Sequence, residues 1–223
     1  MRQSDEDKGE GYVQIQSGDV TLEGNLIIPN GAPGLILFAH GSGSSRFSPR
    51  NRAVASTLRE EAGMGTLLFD LLTSEEDEID KRTRELRFDI PLLAERLVGA
   101  TDWVREQEEA RTLKLGYFGS STGAAAALIG ATQRPDEINA IVSRGGRPDL
   151  AGDALPDVHP PTLLIVGGRD TPVIGMNENA MAKMNTEVKM EIVEGATHLF
   201  EEPGALEEVA SLAASWFKKH LSG

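Results

Sequence analysis

Residues 116–127, GYFGSSTGAAAA, lead from an apolar run through a knot of glycine and serine into a run of alanine. A passage of this kind joins a buried strand to a helix through a turn that has no room for large side chains. Residues 119–123 also fit G-x-S-x-G with Ser121 at the centre, the pattern of a nucleophile held on a strained strand-to-helix corner. A tight corner whose serine is merely small would read the same way, so what stands elsewhere in the chain has to decide.

On both sides of this stretch, short continuous apolar runs alternate with helical stretches, which predicts buried parallel strands joined by crossover helices. Runs at 34–39, 66–71, 113–118, 138–143, 162–166 and 188–193 follow an opening hairpin made of 12–16 and 21–28. Together they predict an eight-stranded, mostly parallel sheet, with helices at about 49–62, 88–107, 122–133, 174–184 and 204–220. Leu93, Leu97, Ala100 and Val104 in one helix, and Leu206, Val209, Leu212 and Trp216 in another, recur at spacings that turn one face to a core. Residues 73–87, TSEEDEIDKRTRELR, are densely charged with both signs. They read as a solvated loop or exposed helical turn, with a mobile flap over the site as the sharper alternative. No repeat or long polar break divides the chain, so residues 11–223 are expected to form one α/β domain behind a frayed polar tail at 1–10.

In such a sheet the reactive groups collect beyond the carboxyl ends of the strands. Ser121 stands at one such end. A serine hydroxyl needs a base that titrates near neutrality, and that base needs an orienting carboxylate. Of the four histidines, His40 ends an earlier strand, His159 precedes two prolines and His220 lies close to the carboxyl terminus. His198 follows the last strand after a glycine-containing turn and precedes a strong helix. Asp170 directly follows the preceding buried strand, whereas its competitors Asp149, Asp153 and Asp157 lie in a loop. Ser121, Asp170 and His198 thus form a candidate triad in chain order Ser, Asp, His. Backbone N–H groups of Thr122 and Ser42, with Gly43 in reserve, are the expected oxyanion donors, because the run His40–Ser45 lets backbone approach a substrate closely. Arg144, at the end of the sixth strand, is a candidate clamp for a substrate carboxylate. The plainer role for Arg144 and its neighbour Arg147 is a salt bridge to Asp149 or Asp153.

Composition narrows the classes. The chain has 223 residues, 22 Lys and Arg against 35 Asp and Glu for a net charge of −13, and no cysteine. Acidic balance argues against nucleic acid or anionic membrane as a partner, and the missing cysteines remove disulfides and thiolate metal sites. No metal-ligand spacing and no cofactor motif is evident. No apolar run approaches the ~20 residues that span a bilayer, and the polar start lacks a signal-peptide core, so a cytoplasmic protein is expected.

With these motifs in view, the chain resembles the α/β-hydrolase superfamily, and within it the small dienelactone-hydrolase-like group. The likeness rests on LILFAHGSG at 35–43, GYFGSSTGAAAA at 116–127, SRGGRPDLAG at 143–152, PTLLIVGGRDTPV at 161–173 and EGATHLFEEPG at 194–204. It implies an α/β-hydrolase fold with no large lid domain, and Ser121, Asp170 and His198 as nucleophile, acid and base. Dienelactone hydrolases proper use cysteine where Ser121 stands, so the resemblance points to a serine esterase acting on small or short-chain esters without a cofactor. Acyl transfer, thioester or lactone cleavage by the same triad, and a non-catalytic interaction module, are the competing expectations.

Overall fold

The computed structural model describes residues 9–223. The expected tail lies, for residues 1–8, outside the described residues. Eight strands form one sheet in the order β1-β2-β4-β3-β5-β6-β7-β8. β1 (Tyr12–Ser17) and β2 (Val20–Ile27) make the antiparallel hairpin, and β2 also runs antiparallel to β4 (Gly65–Phe69). From β4 onward all neighbours are parallel: β3 (Gly34–Ala39), β5 (Lys114–Ser120), β6 (Ile138–Arg144), β7 (Thr162–Gly167) and β8 (Val188–Val193). Every residue of β3, β4 and β7 is buried, as expected of strands covered on both faces.

Two apolar layers enclose the sheet. On one face, α3 (Ile90–Glu106) and α4 (Thr122–Gln133) bring Leu93, Leu97 and the alanines of 125–127 onto Leu37 and Tyr117. On the other, α1 (Pro49–Ala62) and α6 (Ala205–Leu221) bring Val54, Leu58, Val209 and Phe217 onto Phe38 and Phe118. The slender alanine face of α4 allows the helix to lie close to the strand that it follows. Tyr117, wholly buried beneath it, shares a 2.5 Å hydrogen bond with Thr101, and burial holds its phenol well above the usual range.

Two expectations shift. The helix anticipated at 174–184 is α5 (Thr171–Met181), which starts three residues earlier because Pro172 suits a first helical turn. The charged stretch 73–87 contains a ten-residue helix, α2 (Ser74–Thr83), followed by a 3-10 turn at Leu86–Phe88. Thr73 and Glu76 close a capping box, acidic side chains fill its first turn and Lys81 and Arg82 its last. Local chemistry therefore builds a helix that apolar periodicity did not announce. Between β6 and β7 the chain forms only a 3-10 segment, Pro148–Asp157, packed on α4 and α5.

Candidate active site

β5 ends beside β3 and β6, and its last residue leads straight into Ser121. Ser121 has φ +50° and ψ −121°, a conformation that costs a non-glycine residue of order 1–3 kcal/mol. Two neighbours must be small for this corner to close. A Cβ on Gly119 would stand 2.4 Å from Ala124 Cα, and one on Gly123 would stand 2.1 Å from the carbonyl oxygen of Ala39. The Ser121 N–H donates to the Arg144 carbonyl at 3.3 Å, and the Ser121 carbonyl accepts from Ala124 and Arg147. These bonds hold the strained turn from both sides.

β7 leads to Asp170 and β8 to His198. Asp170 caps α5, its own N–H donating to Gly167 and its carbonyl accepting from Val173 and Ile174. The glycines here are again required by close approach, since a Cβ on Gly167 would lie 2.6 Å from the carbonyl oxygens of Ala196 and Thr197. That packing draws the loop after β8 over the end of β7. His198 Nδ1 lies 2.6 Å from Asp170 Oδ2. Because a carboxylate only accepts, Nδ1 carries the proton and Nε2 is left as a base. Ser121 and His198 line one cleft of about 190 Å³ with Gly41, Ser42, Ser44, Ser48, Arg50 and Arg144. No hydrogen bond joins their side chains among those of the described residues; such contacts commonly tighten only when substrate binds.

The loop after β3 forms the opposite wall. A Cβ on Gly41 would come 3.1 Å from Ser121 Cβ, so the backbone of this loop runs directly beside the serine. Thr122 opens α4, where first-turn N–H groups lack intrahelical acceptors. Ser42 lines the same cleft. His40 fastens the loop from behind: its Nε2 accepts from the Leu71 N–H at 3.1 Å and its Nδ1 donates to the Gly41 carbonyl at 3.0 Å. With both nitrogens engaged, and with burial lowering its pKa, His40 is a neutral structural group. His159 is exposed just after the 3-10 segment, and the His220 ring packs tilted against Trp216.

The arginines after β6 divide. Arg147 takes the plainer role foreseen for both, with a bidentate pair to Asp149 at 2.8 Å. Arg144 does not. It is 7% exposed and donates to Asn51 Oδ1 at 3.1 Å, an acceptor that it shares with Ser120 Oγ. Nothing in the sequence alone singles out Arg50, Asn51 or this shared amide, although Ser48-Pro49 marks a helix start and so places Arg50 in a first turn close behind the loop after β3. A second cavity of about 120 Å³ lies across that loop, between Leu71, Leu93 and the underside of α2. Among the described residues no cluster of His, Asp and Glu is arranged to hold a metal ion.

A parallel sheet with a strained serine between strand and helix, and an Asp–His pair on two later strand ends, defines the α/β-hydrolase class of fold. Residues 23–222 match the model of the dienelactone hydrolase family, and the chain belongs to that family of hydrolases. A dienelactone hydrolase from Anabaena variabilis is similar to it at 61% identity and a TM-score of 0.93, over 96% of this chain and 98% of that one. A Pyrococcus furiosus esterase shares the fold at 18% identity and a TM-score of 0.73, over 99% and 95% of the two chains. A Mycobacterium tuberculosis protein with a provisional phosphoribosyl transferase name is 54% identical over 211 residues, 95% of this chain but 46% of its own length. The chain thus spans about half the length of the curated relatives that it matches.

Proposed function

We propose that this chain is a serine esterase that hydrolyses small or short-chain esters through an acyl-enzyme on Ser121. The observation that carries this reading is the positive φ of Ser121 opposite a preformed Asp170–His198 hydrogen bond. In the first half-reaction His198 Nε2 accepts the serine proton as Oγ attacks the ester carbonyl carbon. The carbonyl π-electrons move to oxygen, which accepts hydrogen bonds from the N–H groups of Thr122 and Ser42. Collapse expels the alcohol, which takes the proton from His198, and Asp170 stabilises the imidazolium in between. Water then attacks the acyl-enzyme by the same route and releases the acid. Neither metal nor cofactor enters these steps. Arg144 faces the bound substrate from the floor of the cleft.

The preference for small substrates follows from the short 3-10 segment between β6 and β7, which packs on α4 and α5 and leaves the cleft open. The phosphoribosyl transferase name belongs to a relative about twice as long, whose unmatched half is free to carry it. Acyl transfer to an alcohol other than water, and thioester or lactone cleavage, use the same acyl-enzyme and are separated by product analysis with competing acceptors. Ser121→Ala is expected to abolish hydrolysis of a short-chain aryl ester and labelling by a fluorophosphonate. Labelling that persists in this variant overturns the assignment.

A further inference from the structure

One buried charge in the cleft has no use in the triad chemistry. Arg144 is drawn down to about 10, first by burial and then by the neighbouring charge of Arg50, so the fold holds a guanidinium where its charge is disfavoured. Its Nη2 has the Asn51 amide, but its Nε is sealed from solvent without an acceptor among the described residues. No carboxylate among the described residues lies within ion-pair reach of it. Asp149 is taken by Arg147, and Glu201 stands 3.4 Å from Arg50. A lone buried cation is costly unless an anion joins it.

Donors converge on this spot from three elements. Arg144 approaches from the end of β6 and Arg50 from the first turn of α1, and Ser42 and Ser44 line the same cleft from the loop after β3. The amino end of the fourteen-residue helix α1 adds its partial positive charge. There the Ser48 side chain caps the Asn51 N–H at 3.3 Å, Pro49 has no N–H, and the N–H of Arg50 lacks an intrahelical acceptor. A planar carboxylate is satisfied by one edge of one guanidinium. A tetrahedral phosphate presents oxygens in several directions, as donors on three elements require.

We propose that Arg144, Arg50 and the amino end of α1 form a phosphate subsite, and that the substrates of Ser121 are esters carrying a phosphate monoester elsewhere in the molecule. This deepens the esterase reading and rests on it. The phosphate is bound and not transferred: the bond that breaks is the acyl ester bond, and the phosphate leaves attached to its own product.

Three aryl acetates with para phosphonooxy, carboxy and carbamoyl groups test this with the acyl group held constant. The phosphorylated ester is expected to exceed the other two in kcat/KM by about tenfold, and that ratio to collapse in Arg144→Met and fall in Arg50→Gln. Inorganic phosphate should also raise the melting temperature of the wild type, where acetate at equal ionic strength does not, and this shift should vanish in Arg144→Met. Arg50→Gln alters a partly exposed side chain, and so keeps the test open if Arg144→Met does not fold. Equal rates on the three esters with no phosphate shift overturn the subsite. Carboxy and phosphonooxy esters cleaved equally well overturn the choice of phosphate. Loss of all ester hydrolysis together with absence of fluorophosphonate labelling would defeat the esterase reading instead, while the phosphate-dependent melting shift would still decide the subsite.

Discussion

The walls on either side of the loop after β3 treat buried arginine differently. On the wall built from β3 and β4, Arg46 is 6% exposed and its charge is paired twice, with Asp70 and, at 2.8 Å, with Glu23, while its own N–H donates to Asp70 at 2.7 Å and only its Nε lacks an acceptor among the described residues. On the wall built from β5 and β6, Arg144 is equally buried and has one shared amide oxygen. The serine of that second wall sits in a strained backbone, and Ser143 Oγ beneath it is buried without a partner. Buried polar groups left incomplete lower stability, and Thr122 Oγ1, Ser143 Oγ and Arg144 Nε all fall at the ends of β5 and β6. The first wall, with its buried charge paired twice, is the more fixed of the two.

Substitutions break this contrast in order of size. On the reactive wall, Asp170→Asn is expected to lower kcat by about 10⁴-fold at neutral pH, because an amide no longer fixes the His198 tautomer. The melting temperature should move by no more than a few degrees, and a large loss of both would make Asp170 a stability residue. On the fixed wall, Arg46→Met is expected to cost about 3 kcal/mol, since Asp70 and Glu23 are then left facing each other. For a chain of this size that is a fall of roughly 10 °C in Tm, read by scanning calorimetry. A melting temperature within a degree or two of wild type would erase the distinction between the walls.

The smallest effect belongs to His40. Its folded pKa is depressed below the ordinary 6.5, chiefly by burial, against the opposing influence of the Gly41 carbonyl and the charges of Asp70 and Asp77. Below pH 6.5 the unfolded chain therefore takes up a proton that the folded chain resists, and stability falls as pH drops, by at most about 1.4 kcal/mol per pH unit from this group. Denaturant titrations of wild type and His40→Asn between pH 7 and 5 should differ in slope, the variant being the flatter. Parallel slopes would show that His40 does not bear this charge penalty.

The sheet was legible because each parallel strand announces itself as a short apolar run, and because a strand end is also a place in space. Thus Ser121, Asp170 and His198, far apart in sequence, could be brought to one edge by counting strands. The start of α5 was misplaced because Thr171-Pro172 lacks the apolar spacing of a helix while fitting its first turn. The charges of α2 mask its periodicity, so its sequence reads as loop or helical turn alike, although T-x-x-E at 73–76 is a capping box in plain sight. Arg144 offered no such signal. Arg147, three residues on, finds its carboxylate two residues away, whereas the fate of Arg144 depends on Asn51, which lies 93 positions distant. Pairing of that kind is decided by tertiary packing alone.

The clash distances around Gly119 and Gly123 carry a consequence for how such a corner changes over generations. The walls of the turn are set by backbone atoms and admit no larger neighbour, but the residue inside it pays its conformational cost at Cα, whatever atom ends its side chain. Oxygen and sulfur are therefore interchangeable tenants as far as the turn is concerned. A lineage can exchange a serine at this corner for a cysteine by a single substitution, while the flanking glycines stay as they are.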